Sequence, residues 1–273
     1  MHIYINYMFK YIISIFFLYL FFGFLLFFLQ RKIIFNVSSK PKKPLEYGLI
    51  NIQELEIFTD DGVGLLCWYS KAEANNPTLI YFHGNSFDIG ERAYRIDKYI
   101  KQGWGVLLVS WRGFSGNKGK PSETNLYTDA EAIMKWVDKQ NLNKSYEIVL
   151  YGESLGSGVA VEMATRYSFK SLILEAPFTS IVDIAQNRYK IYPAKFLVLD
   201  KFDNFSKILK IKSPLLIISG KKDEVVPHDH SIRLFNKAKK PKDCLFIDEA
   251  LHNNLYDFGI EKTVINFTLK IWK

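Results

Sequence analysis

Apolar residues are arranged along the chain in two different ways. From Tyr11 to Leu29 (YIISIFFLYLFFGFLLFFL) nineteen uncharged residues follow one another, apolar on every face, and the run stops at Gln30-Arg31-Lys32. As a helix rising ~1.5 Å per residue it would extend about 28 Å, enough to cross a bilayer. It is longer than the roughly 7–15 apolar residues of a cleavable signal and has no small-residue cleavage site, so the pattern predicts an uncleaved, single-pass anchor. Residues 1–10 are then a short tail. Residues 30–44, with Ser38–Pro44 (SSKPKKP) basic and broken by prolines, are predicted to form a stiff basic linker.

Beyond the linker the pattern becomes an alternation of short apolar runs with stretches of helical spacing. Ile52–Phe58 and Leu65–Ser70 flank the turn signal Asp60-Asp61-Gly62, which predicts an antiparallel hairpin. Strand-like runs recur at Thr78–Phe82, Val106–Ser110, Glu147–Tyr151, Ser171–Leu174, Leu215–Ser219 and Cys244–Ile247. Helices are predicted over Thr124–Lys139, Leu155–Tyr167 and from about Tyr256 to Trp272. Such alternation implies one α/β domain over 45–273, a mainly parallel sheet covered on both faces. The aromatic, irregular interval Pro177–Lys212 interrupts the rhythm and is predicted to be a small cap inserted between two strands.

Composition changes this picture in one respect. The formal charge of +8 suggests a polyanion partner, yet from Pro44 onward 30 basic residues face 28 acidic ones. The excess sits beside the apolar segment, which points to a membrane surface and away from nucleic acid. Arg31, Lys32, Lys40, Lys42 and Lys43 outweigh Lys10 and the amino terminus, so the domain is expected on the cytoplasmic side. Two cysteines, Cys67 and Cys244, cannot form a disulfide framework or a cysteine-based metal site.

Candidate chemistry begins at Gly152-Glu153-Ser154-Leu155-Gly156, which follows one predicted strand and opens a predicted helix. A serine on such a sharp turn is exposed at the helix amino terminus, where negative charge is stabilised. Serine needs a histidine to take its proton and an acid to orient that histidine. Asp223 follows the strand Leu215–Ser219 and His252 follows the last strand, so both are expected at the sheet edge of Ser154; Glu224, Asp248 and Glu175 are fallback acids. The oxyanion donors are expected to be the backbone N–H groups of Leu155 and Asn85, with Ser86 as the alternative to Asn85. His83 is read as a buried brace for that loop. His228 and His230, two residues apart without a third ligand, are not read as a metal site.

Together Tyr81-Phe82-His83-Gly84-Asn85, Trp111-Arg112-Gly113-Phe114-Ser115-Gly116, Gly119-Lys120-Pro121-Ser122-Glu123, the Gly152–Gly156 elbow, Asp223 and His252 resemble the α/β-hydrolase superfamily. More narrowly they are similar to its membrane-anchored, small-cap serine hydrolases, a group that includes protein depalmitoylases and is related to prolyl-oligopeptidase-like peptidases. The resemblance implies an eight-stranded, mainly parallel sheet with helices on both faces, a hairpin at one edge, a small cap and a Ser-His-Asp triad. It implies cleavage of carboxylic esters or thioesters without metal or organic cofactor, the substrate being a small molecule, a lipid or an acylated protein. A serine peptidase and a noncatalytic membrane scaffold are the alternatives. In that strand order Cys67 and Cys244 are expected near opposite edges and unbridged. Phe178, Tyr189, Tyr192, Phe196, Phe202 and Phe205 are expected to line an acyl pocket or to form the core of the cap.

Overall fold

The computed structural model describes residues 2–142 and 147–271. A long helix, α1 (His2–Ile34), precedes an eight-stranded sheet formed by β1 (Gln53–Phe58), β2 (Gly64–Ser70), β3 (Thr78–Phe82), β4 (Gly105–Val109), β5 (Ile148–Glu153), β6 (Ser171–Glu175), β7 (Leu215–Gly220) and β8 (Lys242–Ile247). Its order is β1-β2-β4-β3-β5-β6-β7-β8. The β1–β2 hairpin and the β2–β4 pair are antiparallel, and every other pair is parallel. Cys67 lies on β2 and Cys244 on β8, near opposite edges of this order.

The central strands are buried at every position because both faces carry helices. Ile80, Phe82, Leu107, Val109 and Leu150 pack on one face with α3 (Glu123–Lys139), α4 (Leu155–Arg166) and α8 (Asp229–Lys237). Their neighbours Leu79, Tyr81, Val106, Leu108 and Val149 pack on the other with α2 (Ala93–Ile100) and α9 (Ile260–Ile271). The side-chain period of two thus divides the core into two layers. Strand order reverses between β3 and β5, the place where open α/β sheets present a crevice at the carboxyl ends of their strands.

Between β6 and β7 lies the cap, with α5 (Ile181–Arg188), α6 (Ala194–Leu197) and α7 (Asn204–Lys207). The Ser180 side chain starts α5 by accepting the N–H of Asp183.

Two sequence expectations meet a different geometry. The chain expected to run helical from Tyr256 first makes a short 3-10 turn, Leu255–Phe258; Gly259 then takes φ 69°, and α9 begins only at Ile260. Trp272 lies outside the described residues. The segment 30–44, read as a linker, is attached to the domain along its length. Arg31 pairs with Asp200 at 2.8 Å, Phe35 is buried against Phe202, and the Asn36 N–H donates to the Asn85 carbonyl at 3.1 Å. Further on, the Ser38 hydroxyl and carbonyl accept the N–H groups of Ser115 and Gly116. Those backbone partners are contributed by loops far along the chain and leave no local sequence signal.

Candidate active site

Ser154 sits between the end of β5 and the start of α4 with φ 48° and ψ −113°. A non-glycine residue adopts such a backbone only where its surroundings over-determine it. The flanking glycines explain how the turn fits. A Cβ on Gly156 would lie 2.1 Å from the Phe82 carbonyl oxygen, and one on Gly152 would lie 2.7 Å from the Gly156 carbonyl oxygen. The Ser154 N–H donates to the Glu175 carbonyl on β6 at 2.8 Å, tying the elbow to the sheet.

The loops after β7 and β8 bring Asp223 and His252 to this point. Ser154 Oγ is 3.0 Å from His252 Nε2, and His252 Nδ1 is 2.7 Å from Asp223 Oδ2. The other Asp223 oxygen accepts the N–H groups of Val225 (2.9 Å) and Val226 (2.8 Å), and the carboxylate is fully buried. Asp223 is therefore fixed on both oxygens. Of the fallback acids, Asp248 pairs with Lys221, while Glu175 bonds Arg95 and the Tyr151 hydroxyl; neither is His252's partner.

Asn85, in the loop after β3, borders the same cavity as Ser154 and Leu155. His83 is wholly buried in that loop, with Nδ1 2.7 Å from the Gly84 carbonyl, and its own carbonyl accepts the Trp111 indole N–H. Burial, reinforced by the nearby Arg92 charge, pushes its pKa down to about 3, so the ring is neutral. His228 and His230 turn to separate partners, the Ser219 hydroxyl and Thr179.

Beneath the elbow lies a buried ionic layer that sequence reading did not anticipate. Arg92 holds Glu153 at 2.8 Å, and Arg95 reaches Glu175 at 3.1 Å, the Tyr81 hydroxyl at 3.1 Å and the Asn253 carbonyl beside His252 at 3.4 Å. Burial raises the Glu153 pKa, but Arg92 and Arg95 outweigh it and hold the group below the usual carboxylate range. Burial also raises Glu175, against the pull of Arg95. The available signal was at the start of α2, where Arg92, just before the helix, and Arg95, Ile96 and Tyr99 within it are spaced to share one face: arginines at core positions require buried partners.

Above Ser154 is a cavity of about 210 Å3, large beside the ~10–15 Å3 that one water occupies. From the cap, Phe178, Ile181, Ile184, Tyr189 and Tyr192 line it; α1 contributes Gly23, Leu26, Phe27 and Gln30. The aromatic residues of the cap thus divide by role. Phe178, Tyr189 and Tyr192 face the cavity, Phe202 is core, Phe205 packs beneath Lys237, and Phe196 is 80% exposed. The contribution of α1 was also missed, because a run judged by its hydropathy has no preferred face.

Comparison with known proteins agrees with this architecture. The chain is 32% identical over 227 residues to an uncharacterised protein of Mycobacterium tuberculosis, covering 82% of this chain and 81% of that protein. It is also 32% identical over 233 residues to the human alpha/beta hydrolase domain-containing protein 17B, covering 85% of this chain and 77% of the relative. The chain belongs to the α/β-hydrolase superfamily. Within that superfamily, residues 73–207 match the family described as serine aminopeptidase, S33. The hydrolase fold is shared with the Pyrococcus furiosus esterase Pf2001, with a TM-score of 0.69 at 20% identity, covering 86% of this chain and 97% of that one. Among the described residues of this α/β hydrolase, the stretch Tyr7–Ile34 of α1 is long and apolar enough to cross a membrane.

Proposed function

We propose that the protein is a membrane-held serine hydrolase that cleaves carboxylic esters or thioesters through an acyl-Ser154 intermediate. The observation that carries the reading is the chain Ser154 Oγ, His252 Nε2, His252 Nδ1, Asp223 Oδ2, with links of 3.0 and 2.7 Å beside an apolar cavity. With Nδ1–H donated to Asp223, the neutral imidazole keeps Nε2 free to accept the serine proton. Oγ attacks the carbonyl carbon while its proton passes to Nε2. The oxyanion takes hydrogen bonds from the Leu155 and Asn85 N–H groups, each such donor being worth ~2.7–4 kcal/mol in comparable sites. Collapse breaks the bond to the leaving alcohol or thiol, which takes the proton from His252. Water then repeats the sequence and frees Ser154.

The family description also raises aminopeptidase activity. A free α-amino group needs a carboxylate to hold it, and among the described residues lining the cavity Arg188 is the one charged side chain. That favours an acyl group over a peptide amino terminus. The placement of lipid-like or acylated-protein substrates is supported by α1 and by the exposed apolar cap residues Ile191, Phe196 and Leu199. The basic run after α1 favours the cytoplasmic side.

The test is fluorophosphonate labelling of the full chain in detergent beside Ser154→Ala. Wild type is expected to label and to turn over p-nitrophenyl esters, and the variant to lose labelling and at least about 10^3-fold in kcat. A folded wild type that does not label would make the protein a noncatalytic scaffold.

A further inference from the structure

We propose that α1 is itself part of the substrate site, forming one wall of the acyl pocket above Ser154 and selecting acyl-chain length there. The inference rests on the serine hydrolase reading and extends it from the reacting atoms to the helix.

A helix serving as a tether alone would be exposed all round. Instead Tyr19, Gly23, Leu26, Phe27, Gln30 and Ile34 are its partly covered residues among those described, and they repeat every three to four positions on one face. Polar contacts clamp that face at both ends. Near the membrane-proposed end the Tyr19 and Tyr192 rings stack 4.7 Å apart, and each hydroxyl donates to a carbonyl of the other segment, Tyr19 to Ile191 at 3.2 Å and Tyr192 to Tyr19 at 3.0 Å. At the domain end Gln30 donates to the Leu197 carbonyl at 3.1 Å and accepts the Leu199 N–H at 2.8 Å. Arg31 there pairs with Asp200, whose carboxylate also accepts the Glu123 N–H at the start of α3. Between the clamps, Leu26 and Phe27 border the cavity that Ile181 and Ile184 also line.

Gly23 makes the close approach feasible: a Cβ there would lie 2.9 Å from the Tyr192 ring. The opposite face keeps Phe21, Phe24 and Phe28 exposed, so lipid and pocket are served by different sides of one helix. The candidate membrane span Tyr7–Ile34 includes the docked stretch, so a crossing by that span puts the pocket at the lipid boundary, where long acyl chains are concentrated.

The experiment uses the full chain in phosphatidylcholine nanodiscs and p-nitrophenyl esters from butyrate to palmitate, reading kcat/KM for each. Leu26→Trp fills the α1 side of the pocket and is expected to cut the palmitate-to-butyrate ratio at least about tenfold, the loss of roughly two buried methylene groups. Phe28→Trp, on the exposed side, keeps the wild-type ratio. An unchanged ratio in Leu26→Trp overturns the proposal while leaving the hydrolase reading intact. If Leu26→Trp fails to fold, judged by lost fluorophosphonate labelling, Phe27→Ala decides: it is expected to move the optimum to longer chains, and no movement overturns the proposal. A folded wild type that neither labels nor turns over any ester fails the hydrolase reading, and the acyl pocket with it.

Discussion

Beneath Ser154, Arg92, Arg95, Glu153 and Glu175 bury four ionisable groups among Tyr81, Tyr151 and Tyr256, whereas above it Leu26, Phe27, Phe178, Ile181 and Ile184 present apolar surface to a cavity. The two layers flank the same elbow and constrain it differently. Each charge in the floor needs a partner at a set distance and direction, so one arrangement satisfies all of them and neighbouring arrangements leave a charge unpaired. Contacts in the roof are non-directional and tolerate chains of different length and shape. The floor is therefore suited to holding Ser154 and His252 still, and the roof to accepting varied substrates. Substitutions in the two layers are expected to separate stability from selectivity.

The largest effect is expected in the floor. Arg95→Met removes the partner of Glu175, the Tyr81 hydroxyl and the Asn253 carbonyl together. Breaking a buried pair from one side typically costs about 3–5 kcal/mol, read as a lowered thermal midpoint of the detergent-solubilised full chain, and activity should fall as His252 loses its braced neighbour. Adding Glu175→Gln should recover part of the stability because it removes the stranded charge. A loss below about 1 kcal/mol, the scale of an ordinary hydrogen bond, would mean that the ionic layer does not hold the floor.

A smaller effect is expected at His83, buried in the loop after β3 near Arg92. Its folded pKa of about 3 lies below the ordinary histidine value of 6.5, so the unfolded chain binds the proton first as pH falls. The stability contributed by the neutral ring is complete above about pH 6.5 and is lost as pH drops from there towards 3. Between pH 6.5 and 4.5 this amounts to about 2 kcal/mol. Wild type should lose more thermal stability across that window than His83→Gln; parallel curves would show that this ring is not kept neutral by its burial.

The floor and roof also differ in how far they could be read from sequence. All eight strands were legible because each is a short apolar run between turn signals, and the hairpin was marked by Asp60-Asp61-Gly62. The serine elbow is local, five residues whose glycines are demanded by carbonyls 2–3 Å away. Asp223 and His252 were legible for a topological reason: parallel strands end at one edge, so loops after different strands converge. Arg92 and Arg95 escaped because arginine is ordinarily a surface residue, and only its position on the face shared with Ile96 and Tyr99 marks it as buried. The α1 wall escaped because its partners lie about 170 residues away along the chain, as in Arg31 with Asp200 and Tyr19 with Tyr192. Tyr19, Gly23 and Gln30, spaced four and seven apart in a run otherwise rich in Phe, Leu and Ile, were its trace.

The smallest effect in stability is expected at the seam between α1 and the cap. Tyr192→Phe keeps the ring stacked on Tyr19 and removes one hydrogen bond, from its hydroxyl to the Tyr19 carbonyl. Such a bond contributes about 1 kcal/mol net, less here because the surrounding apolar contacts remain. The thermal midpoint should hardly move, while the palmitate-to-butyrate ratio of kcat/KM should fall severalfold as α1 and the cap lose their fixed spacing. That combination, little stability and measurable selectivity, is the reverse of what Arg95→Met should produce. If Tyr192→Phe instead destabilises the chain as strongly as Arg95→Met, the roof is as rigidly specified as the floor, and the division of labour between charge below and apolar surface above does not hold.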